Sequence, residues 1–122
     1  MAMPDRRPHS RSLEEGRALF NAGRFFEAHE QWEDAWRVET GRSKLFLQGL
    51  IQIAAGFLKS GEGRTAPAVR LLEAGARKIA EAYAGPELAA FLSDVRRRTE
   101  EIRGSAAGAG SWPLLPPLPG VR

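Results

Sequence analysis

Residues 25 to 37 read FFEAHEQWEDAWR and carry the clearest helical signal in the chain. Phe25, Phe26, Trp32 and Trp36 recur at spacings that place them on one side of a helix of about 3.6 residues per turn. Most of the polar residues between them cover the opposite side. This pattern predicts an amphipathic helix that ends at the Thr-Gly pair of residues 40 and 41.

Within that helix, a histidine and one glutamate fall among the aromatic residues. At about 100° per residue, Glu33 lies only about 40° from His29, on the aromatic side. Glu30 lies at the edge of this side, and the other acids point to solvent. Because a buried carboxylate needs a partner, we expect Glu33 to pair with His29, one turn earlier. Such a buried pair would make His29→Ala destabilising by about 3 to 5 kcal/mol.

The next predicted helix is apolar around most of its circumference. It includes residues 45 to 58, LFLQGLIQIAAGFL, in which two glutamines interrupt the apolar run. Gln48 and Gln52 lie on one narrow stripe, and glutamines on a helix so nearly buried need hydrogen-bond partners. Gly49 and Gly56, two turns apart, allow a neighbouring helix to approach closely. We therefore predict an interhelical polar cluster of His29, Glu33, Gln48 and Gln52.

Capping and turn residues delimit the first, fourth and fifth helices and also mark the start of the third. Ser12 begins a Ser-Leu-Glu-Glu capping box for the first helix, Ser43 is a suitable N-cap for the third, and Thr65 is one for the fourth. A fifth amphipathic segment follows the Gly-Pro pair at residues 85 and 86. Short connections make neighbouring helices antiparallel. The sequence thus predicts an all-α fold of about five antiparallel helices, a helical-hairpin bundle without strands.

The predicted domain, residues 12–102, lies between a flexible basic N-terminal tail, residues 1–11, and a Gly/Pro-rich C-terminal tail, residues 103–122. The C-terminal tail contains SWPLLPPLPG and cannot be helical for long. It is either disordered or an extended, polyproline-like strap lying on the domain. Trp112 favours the strap, because a solvated linker seldom contains a tryptophan. Pro113 to Pro116 also form a PxxP motif that a partner domain could bind.

Composition sets the expected compartment. The chain has no cysteine, which excludes disulfides and thiolate metal sites. Its basic N-terminal segment is not followed by an apolar region, so we expect no signal peptide. The longest apolar stretch is shorter than the ~20 residues that a membrane span requires. We therefore expect a soluble, cytoplasmic protein with no membrane association.

Nucleic acid is not the expected partner. The net charge of +3 arises from fifteen arginines and three lysines against fifteen acids. Most arginines have an acidic neighbour, whereas a nucleic-acid surface clusters its basic residues. Only one basic run, Arg96 to Arg98, favours a nucleic-acid accessory protein.

The predicted polar cluster has three interpretations. Glu30 or Glu33 could act as a general base with His29 as proton carrier, as in a hydrolase. The His29 and Glu33 pair could instead bind a metal weakly, completed by Gln48 or water. The third interpretation is a satisfied hydrogen-bond network that fixes the register of two helices.

The spacing does not match a zinc-protease site. HEQWE, residues 29 to 33, reproduces only the first half of HExxH, because Glu33 stands where the second histidine belongs. The only other histidine, His9, falls in the N-terminal tail. The sequence contains no phosphate loop, nucleophile elbow or dinucleotide fingerprint, and we predict no cofactor.

The run GRFFEAHEQWEDAW, followed by LQGLIQIAA and AVRLLEAGARKI, resembles the bacterial and archaeal family catalogued as domain of unknown function 309. The resemblance covers about residues 12 to 102. Its signature is an aromatic pair, His-Glu, a further glutamate, a tryptophan, and Gln-Gly on the next helix. The signature positions here are Phe25, Phe26, His29, Glu30, Glu33, Trp36, Gln48 and Gly49.

The resemblance implies an all-α fold of antiparallel helices and no established activity. Family members often carry a histidine near the end of the third helix, where this chain has Leu58 and Lys59, and this difference argues against a metal site. The first two helices also resemble a tetratricopeptide hairpin, with small residues at Ala18, Ala28 and Ala35, although no repeat of about 34 residues follows. This local resemblance supports a peptide- or protein-binding groove.

The sequence favours a binding or interaction module with an aromatic interhelical groove, and it leaves enzymatic activity open. The alternative is a metal-dependent or acid/base hydrolase-like enzyme that uses the same cluster. A protein or peptide partner, or a second copy of the chain, fits an apolar patch left by short helices. The candidate binding residues are Phe26, His29, Glu33, Trp36, Gln48 and Gln52, and the candidate catalytic residues are His29, Glu30 and Glu33.

Overall fold

Five helices follow one another along the chain, joined by short connections. The computed structural model describes residues 7–83, 85–104 and 112–118, with the side chains of residues 7–10 left undescribed. These residues contain no strand, so the predicted all-α class is confirmed. The helices are α1 (Arg7–Asn21), α2 (Phe25–Val38), α3 (Gly41–Gly61), α4 (Thr65–Ala82) and α5 (Pro86–Gly104).

Two helices begin earlier than their serines predicted. α1 begins at Arg7 and α3 at Gly41, so Ser12 and Ser43 lie inside helices and the predicted caps at these serines are wrong. Gly41 has a φ of 61°, a left-handed conformation that turns the chain at once and lets α3 begin there. Before Ser12 no residue stops the helix, because a proline at position 8 fits the first turn.

The two predicted tails overlap with the helices at both ends. α1 takes in residues 7–11, and α5 continues to Gly104. Residues 1–6, 105–111 and 119–122 lie outside the described residues, as does the side chain of His9. The helical part of the chain is therefore longer than residues 12–102.

Phe20 is the aromatic centre of the core. Its fully buried ring has its centroid 5.2 Å from that of Phe25, 6.0 Å from Trp32, 6.1 Å from Phe57 and 6.0 Å from Phe91. α1, α2, α3 and α5 thus meet at one side chain. Each helix otherwise packs mainly on its neighbours in sequence, and the α3–α4 interface is the most extensive.

The backbones of α3 and α4 touch at two glycines. A Cβ atom placed on Gly49 would lie 2.8 Å from the carbonyl oxygen of Gly75, and one placed on Gly75 would lie 2.6 Å from the carbonyl oxygen of Gly49. Since both obstacles are backbone atoms, no side-chain rotation relieves the clash. The α3–α4 distance therefore depends on the absence of a side chain at both positions.

The hairpins α1–α2 and α3–α4 turn in the same way, forty residues apart. Gly23 and Gly63 have φ angles of 82° and 78°. In each turn the following arginine donates its N–H to the carbonyl five residues earlier, at 2.8 Å in the first turn and 2.9 Å in the second. The same offset relates Gly16, which faces the Trp32 indole, to Gly56, which faces Leu72. The α1–α2 and α3–α4 hairpins thus share one turn conformation and have a glycine contact at the same relative position.

Residues 112–118, which we call the tail strap, lie extended across α1 and the first turn. Leu115 and Leu118 are buried, and the Trp112 ring packs edge-on against Phe25 with centroids 5.5 Å apart. Asn21 makes two hydrogen bonds to the main chain of Leu115. Its Oδ1 accepts from the Leu115 N–H at 2.8 Å, and its Nδ2 donates to the Leu115 carbonyl at 3.0 Å. Of the two alternatives for the C-terminal tail, these seven residues follow the strap.

Surface charges are largely paired on α5. Arg103 bonds to Glu73 of α4 and to Glu100, and its guanidinium lowers the pKa of the Glu100 carboxyl. In the basic run from 96 to 98, Arg97 pairs with Asp94 and with Glu101, and Arg98 also reaches Glu101. Among the described residues, no helix is both long and apolar enough to cross a membrane.

The glycine contact gives a stability prediction. Gly49→Ala should destabilise the domain by about 1 to 3 kcal/mol, because the added methyl meets a backbone oxygen. Gly61→Ala is the matched control: nothing lies within 4 Å of its Cβ position, so it should leave stability unchanged or raise it by up to about 1 kcal/mol. Urea denaturation followed by circular dichroism measures both. Equal stability of the two variants would contradict the backbone contact.

Candidate functional site

α2 lies between α1 and α3 and buries one row of residues between them. Ala28, Trp32 and Ala35 form this row and have exposed fractions of 1% or less. The small alanines let the neighbouring helices approach, and the Trp32 indole donates to the carbonyl of Leu13 at 3.1 Å. The candidate residues of α2 flank this row, so their depth depends on how far α3 covers them.

His29 and Glu33 are in contact, but Glu33 is not buried. The imidazole Nε2 lies 3.4 Å from a carboxylate oxygen of Glu33, and the two side chains are 28% and 39% exposed. Arg37, one turn further on, approaches the other carboxylate oxygen at 3.8 Å. The predicted buried carboxylate is therefore a partly solvated one that His29 and Arg37 share, and pairs this exposed contribute about 0.2 to 1 kcal/mol.

The two glutamines of α3 do not complete the predicted network. Within the described part of the chain, no hydrogen bond joins Gln48 or Gln52 to His29 or Glu33. The ammonium of Lys44 lies 4.3 Å from the centre of the Trp36 ring, which fixes where the start of α3 meets the end of α2. Because the helices run antiparallel, Gln48 and Gln52 follow one and two turns later, towards the level of His29.

Three buried polar atoms at this α2–α3 junction have no hydrogen-bond partner. They are His29 Nδ1, Trp36 Nε1 and Gln52 Oε1, and the only other such atom among the described side chains is Trp112 Nε1. Leaving a buried donor or acceptor unpaired costs about 1 to 3 kcal/mol, so such atoms are rare. Three of the four such atoms among the described side chains thus belong to α2 and α3.

Apolar surface borders these polar atoms. Phe26 is 51% exposed and its ring stacks on the His29 imidazole, with centroids 6.2 Å apart and an interplanar angle of 21°. Val38, at the other end of α2, is 55% exposed. The junction therefore combines unpartnered polar atoms with large accessible apolar side chains.

The catalytic and metal candidates are only partly brought together. His29 and Glu33 touch, whereas Glu30 is exposed and makes no ion pair or hydrogen bond with the described residues. No group of three or more His, Asp or Glu side chains in the described part of the chain is arranged to hold a metal ion. The pair thus supplies an acid/base couple but only two metal-ligating side chains.

One residue of the junction was not among the predicted site residues. Lys44 reaches the Trp36 ring from the first turn of α3. Its signal in the sequence is its place on the same stripe as Gln48 and Gln52. The contact occurs because α3 begins at Gly41, which places Lys44 beside the last turn of α2.

The helical-hairpin architecture and the α2–α3 junction place the chain among small all-α domains. Residues 13–71 match the model of the family described as Domain of unknown function (DUF309). The match confirms the resemblance carried by the α2 and α3 motifs. No significant match was found among curated proteins or among solved structures.

The two tryptophans of α2 give a paired prediction. Trp32→Phe removes a buried hydrogen bond and part of a fully buried side chain, whereas Trp36→Phe removes an N–H that has no partner. We expect Trp32→Phe to cost at least about 2 kcal/mol more than Trp36→Phe. Urea unfolding monitored at 222 nm by circular dichroism compares them. Similar losses would show that the Trp36 N–H is bonded within the fold.

The exposure of Glu33 predicts a small effect for removing its histidine partner. His29→Ala should lower the free energy of unfolding by no more than about 1 kcal/mol, because Glu33 keeps solvent and Arg37 as partners. The same denaturation experiment measures it. A loss of about 3 to 5 kcal/mol would restore the buried-carboxylate interpretation.

Proposed function

We propose that the chain is a small cytoplasmic interaction module that binds a peptide segment of a partner protein. The binding surface is the α2–α3 face, which consists of Phe26, His29, Glu33, Trp36, Gln48 and Gln52. The observation that carries the proposal is the set of buried polar atoms without partners at this face.

The unpartnered atoms call for a ligand that both donates and accepts hydrogen bonds. An indole N–H only donates, so Trp36 requires an acceptor. The Oε1 atom of Gln52 only accepts, so it requires a donor. A peptide bond carries one donor and one acceptor. A peptide therefore supplies both groups in one unit, which a metal ion or a simple anion does not.

The surroundings of these atoms suit a protein partner. Phe26 offers an exposed ring beside His29, and Trp36 is half-buried under Lys44. Tryptophan is enriched among the few residues that carry most of the binding energy of protein interfaces. Lys44, Glu33 and Arg37 add charges of both signs at the edge, which favours orientation of a partner rather than attraction of one charge type.

Selection from a displayed library of linear peptides tests the proposal. Peptides selected on the full chain should bind Trp36→Phe about tenfold more weakly, because the variant loses one hydrogen bond and leaves the ligand's acceptor unpaired. Isothermal titration calorimetry measures the affinities, and circular dichroism verifies folding of the variant.

Trp112→Phe is the matched control for this experiment. It makes the same substitution at the other buried tryptophan N–H without a partner, away from the α2–α3 face. Its affinity for the peptides that Trp36→Phe binds more weakly should equal that of the parent. A selection in which every peptide binds the parent and Trp36→Phe equally would place recognition elsewhere and contradict the proposal.

A further inference from the structure

The tail strap packs a large apolar side chain against the domain at every third position. Trp112, Leu115 and Leu118 face the domain, whereas Leu114 is 64% exposed. A polyproline II helix has about three residues per turn, so a segment in this conformation presents every third residue to one side. The spacing of the buried residues is therefore that of a polyproline-type ligand docked on a protein surface.

The domain holds the main chain of the strap as well as its side chains. Asn21 makes a hydrogen bond to the N–H and another to the carbonyl of Leu115, and Arg17 Nε donates to the same carbonyl at 3.1 Å. Contacts to the main chain of a central residue fix the register of an extended peptide without depending on its sequence.

The first turn forms the pocket for the tryptophan. A Cβ atom on Gly23 would lie 2.8 Å from atoms of the Trp112 ring, so the indole lies directly on the glycine backbone. Phe25 closes the pocket from the side, with an interplanar angle of 83°. We call Arg17, Asn21, Gly23 and Phe25 the tail groove.

The second hairpin shows that the turn alone does not create this groove. Forty residues after Asn21 and Phe25 the chain has Gly61 and Thr65, which offer neither an amide side chain nor an aromatic ring. The equivalent glycine, Gly63, has open space at its Cβ position. The groove therefore arises from side chains particular to the first hairpin.

We propose that the tail groove is a second peptide-binding site, specific for proline-containing linear segments of partner proteins with large apolar residues at three-residue spacing. The chain's own strap occupies it as a tethered competitor. The contacts involve only seven strap residues and one main-chain register, so they do not require the occupant to be covalently joined to α5. Seven residues separate Gly104 from Trp112, and a short tether of this kind gives an effective concentration in the millimolar range.

Two aspartate substitutions in the full chain test the proposal. Leu115→Asp places a charge at a buried position and should undock the strap, whereas Leu114→Asp makes the same change at the exposed neighbouring residue. The probe is a fluorescein-labelled peptide SWPLLPPLP, followed by fluorescence anisotropy. We expect Leu115→Asp to bind it at least about tenfold more tightly than the parent, because the tethered competitor is removed. Leu114→Asp should behave as the parent.

Two further variants show that the probe binds in the groove. Adding Asn21→Ala to Leu115→Asp should abolish the gain, and a probe with aspartate at the Leu115 position should not bind. A folded Leu115→Asp variant that binds the probe no better than the parent would overturn the proposal. A second result would also overturn it: the parent is a dimer, Leu115→Asp dissociates this dimer whereas Leu114→Asp does not, and the free peptide does not bind. The groove would then bind a second copy of the chain.

A displacement experiment on the parent chain tests the same proposal if the Leu115→Asp variant does not fold. The parent is labelled with 5-fluorotryptophan, and the Trp112 resonance is assigned with Trp112→Phe. Unlabelled SWPLLPPLP at millimolar concentration should shift this resonance away from its docked position as the peptide displaces the strap. An unchanged Trp112 resonance at about 5 mM peptide would overturn the proposal.

Discussion

The contact between Gly49 and Gly75 is the constraint on which the other helix positions depend. With no side chain at either position, α3 and α4 share the largest interface, and their outer faces support α2 and α5. In the first hairpin Gly16 makes room for the Trp32 indole in a corresponding way. The distances between the helices therefore depend on the positions that lack a large side chain as much as on the large side chains that fill the core.

The fold class was predictable because helical periodicity is a local property, but helix ends and side-chain depth were not. Ser12 and Ser43 satisfy a capping pattern, yet helices continue through them because nothing nearby stops the chain. Likewise, a helical wheel gave the direction of Glu33 but not how far α3 covers it, since coverage depends on the helix register. The hairpin repeat escaped detection because little beyond its small residues and Gly-Arg turn recurs.

Consecutive residues of α2 serve different surfaces. Phe25 packs beneath the strap, while Phe26 stands on the α2–α3 face beside His29. The two surfaces differ in chemistry, because Asn21 bonds fully to the strap backbone whereas Trp36 and Gln52 keep unpaired buried atoms. Both surfaces lie within the segment that matches the family, residues 13–71, and the strap lies outside it. The groove and its occupant are thus separable parts of the chain.

The strap is synthesised after all five helices, including the helix α1 on which it docks. Almost all other contacts of the domain join helices that are neighbours in sequence, whereas Asn21 and Leu115 are 94 residues apart. During synthesis, domains generally fold as units. Because Phe25 of the tail groove stacks on Phe57 and Phe20 packs on Phe91, the groove is assembled together with α3 and α5, and the strap, which is synthesised last, docks on it at the end.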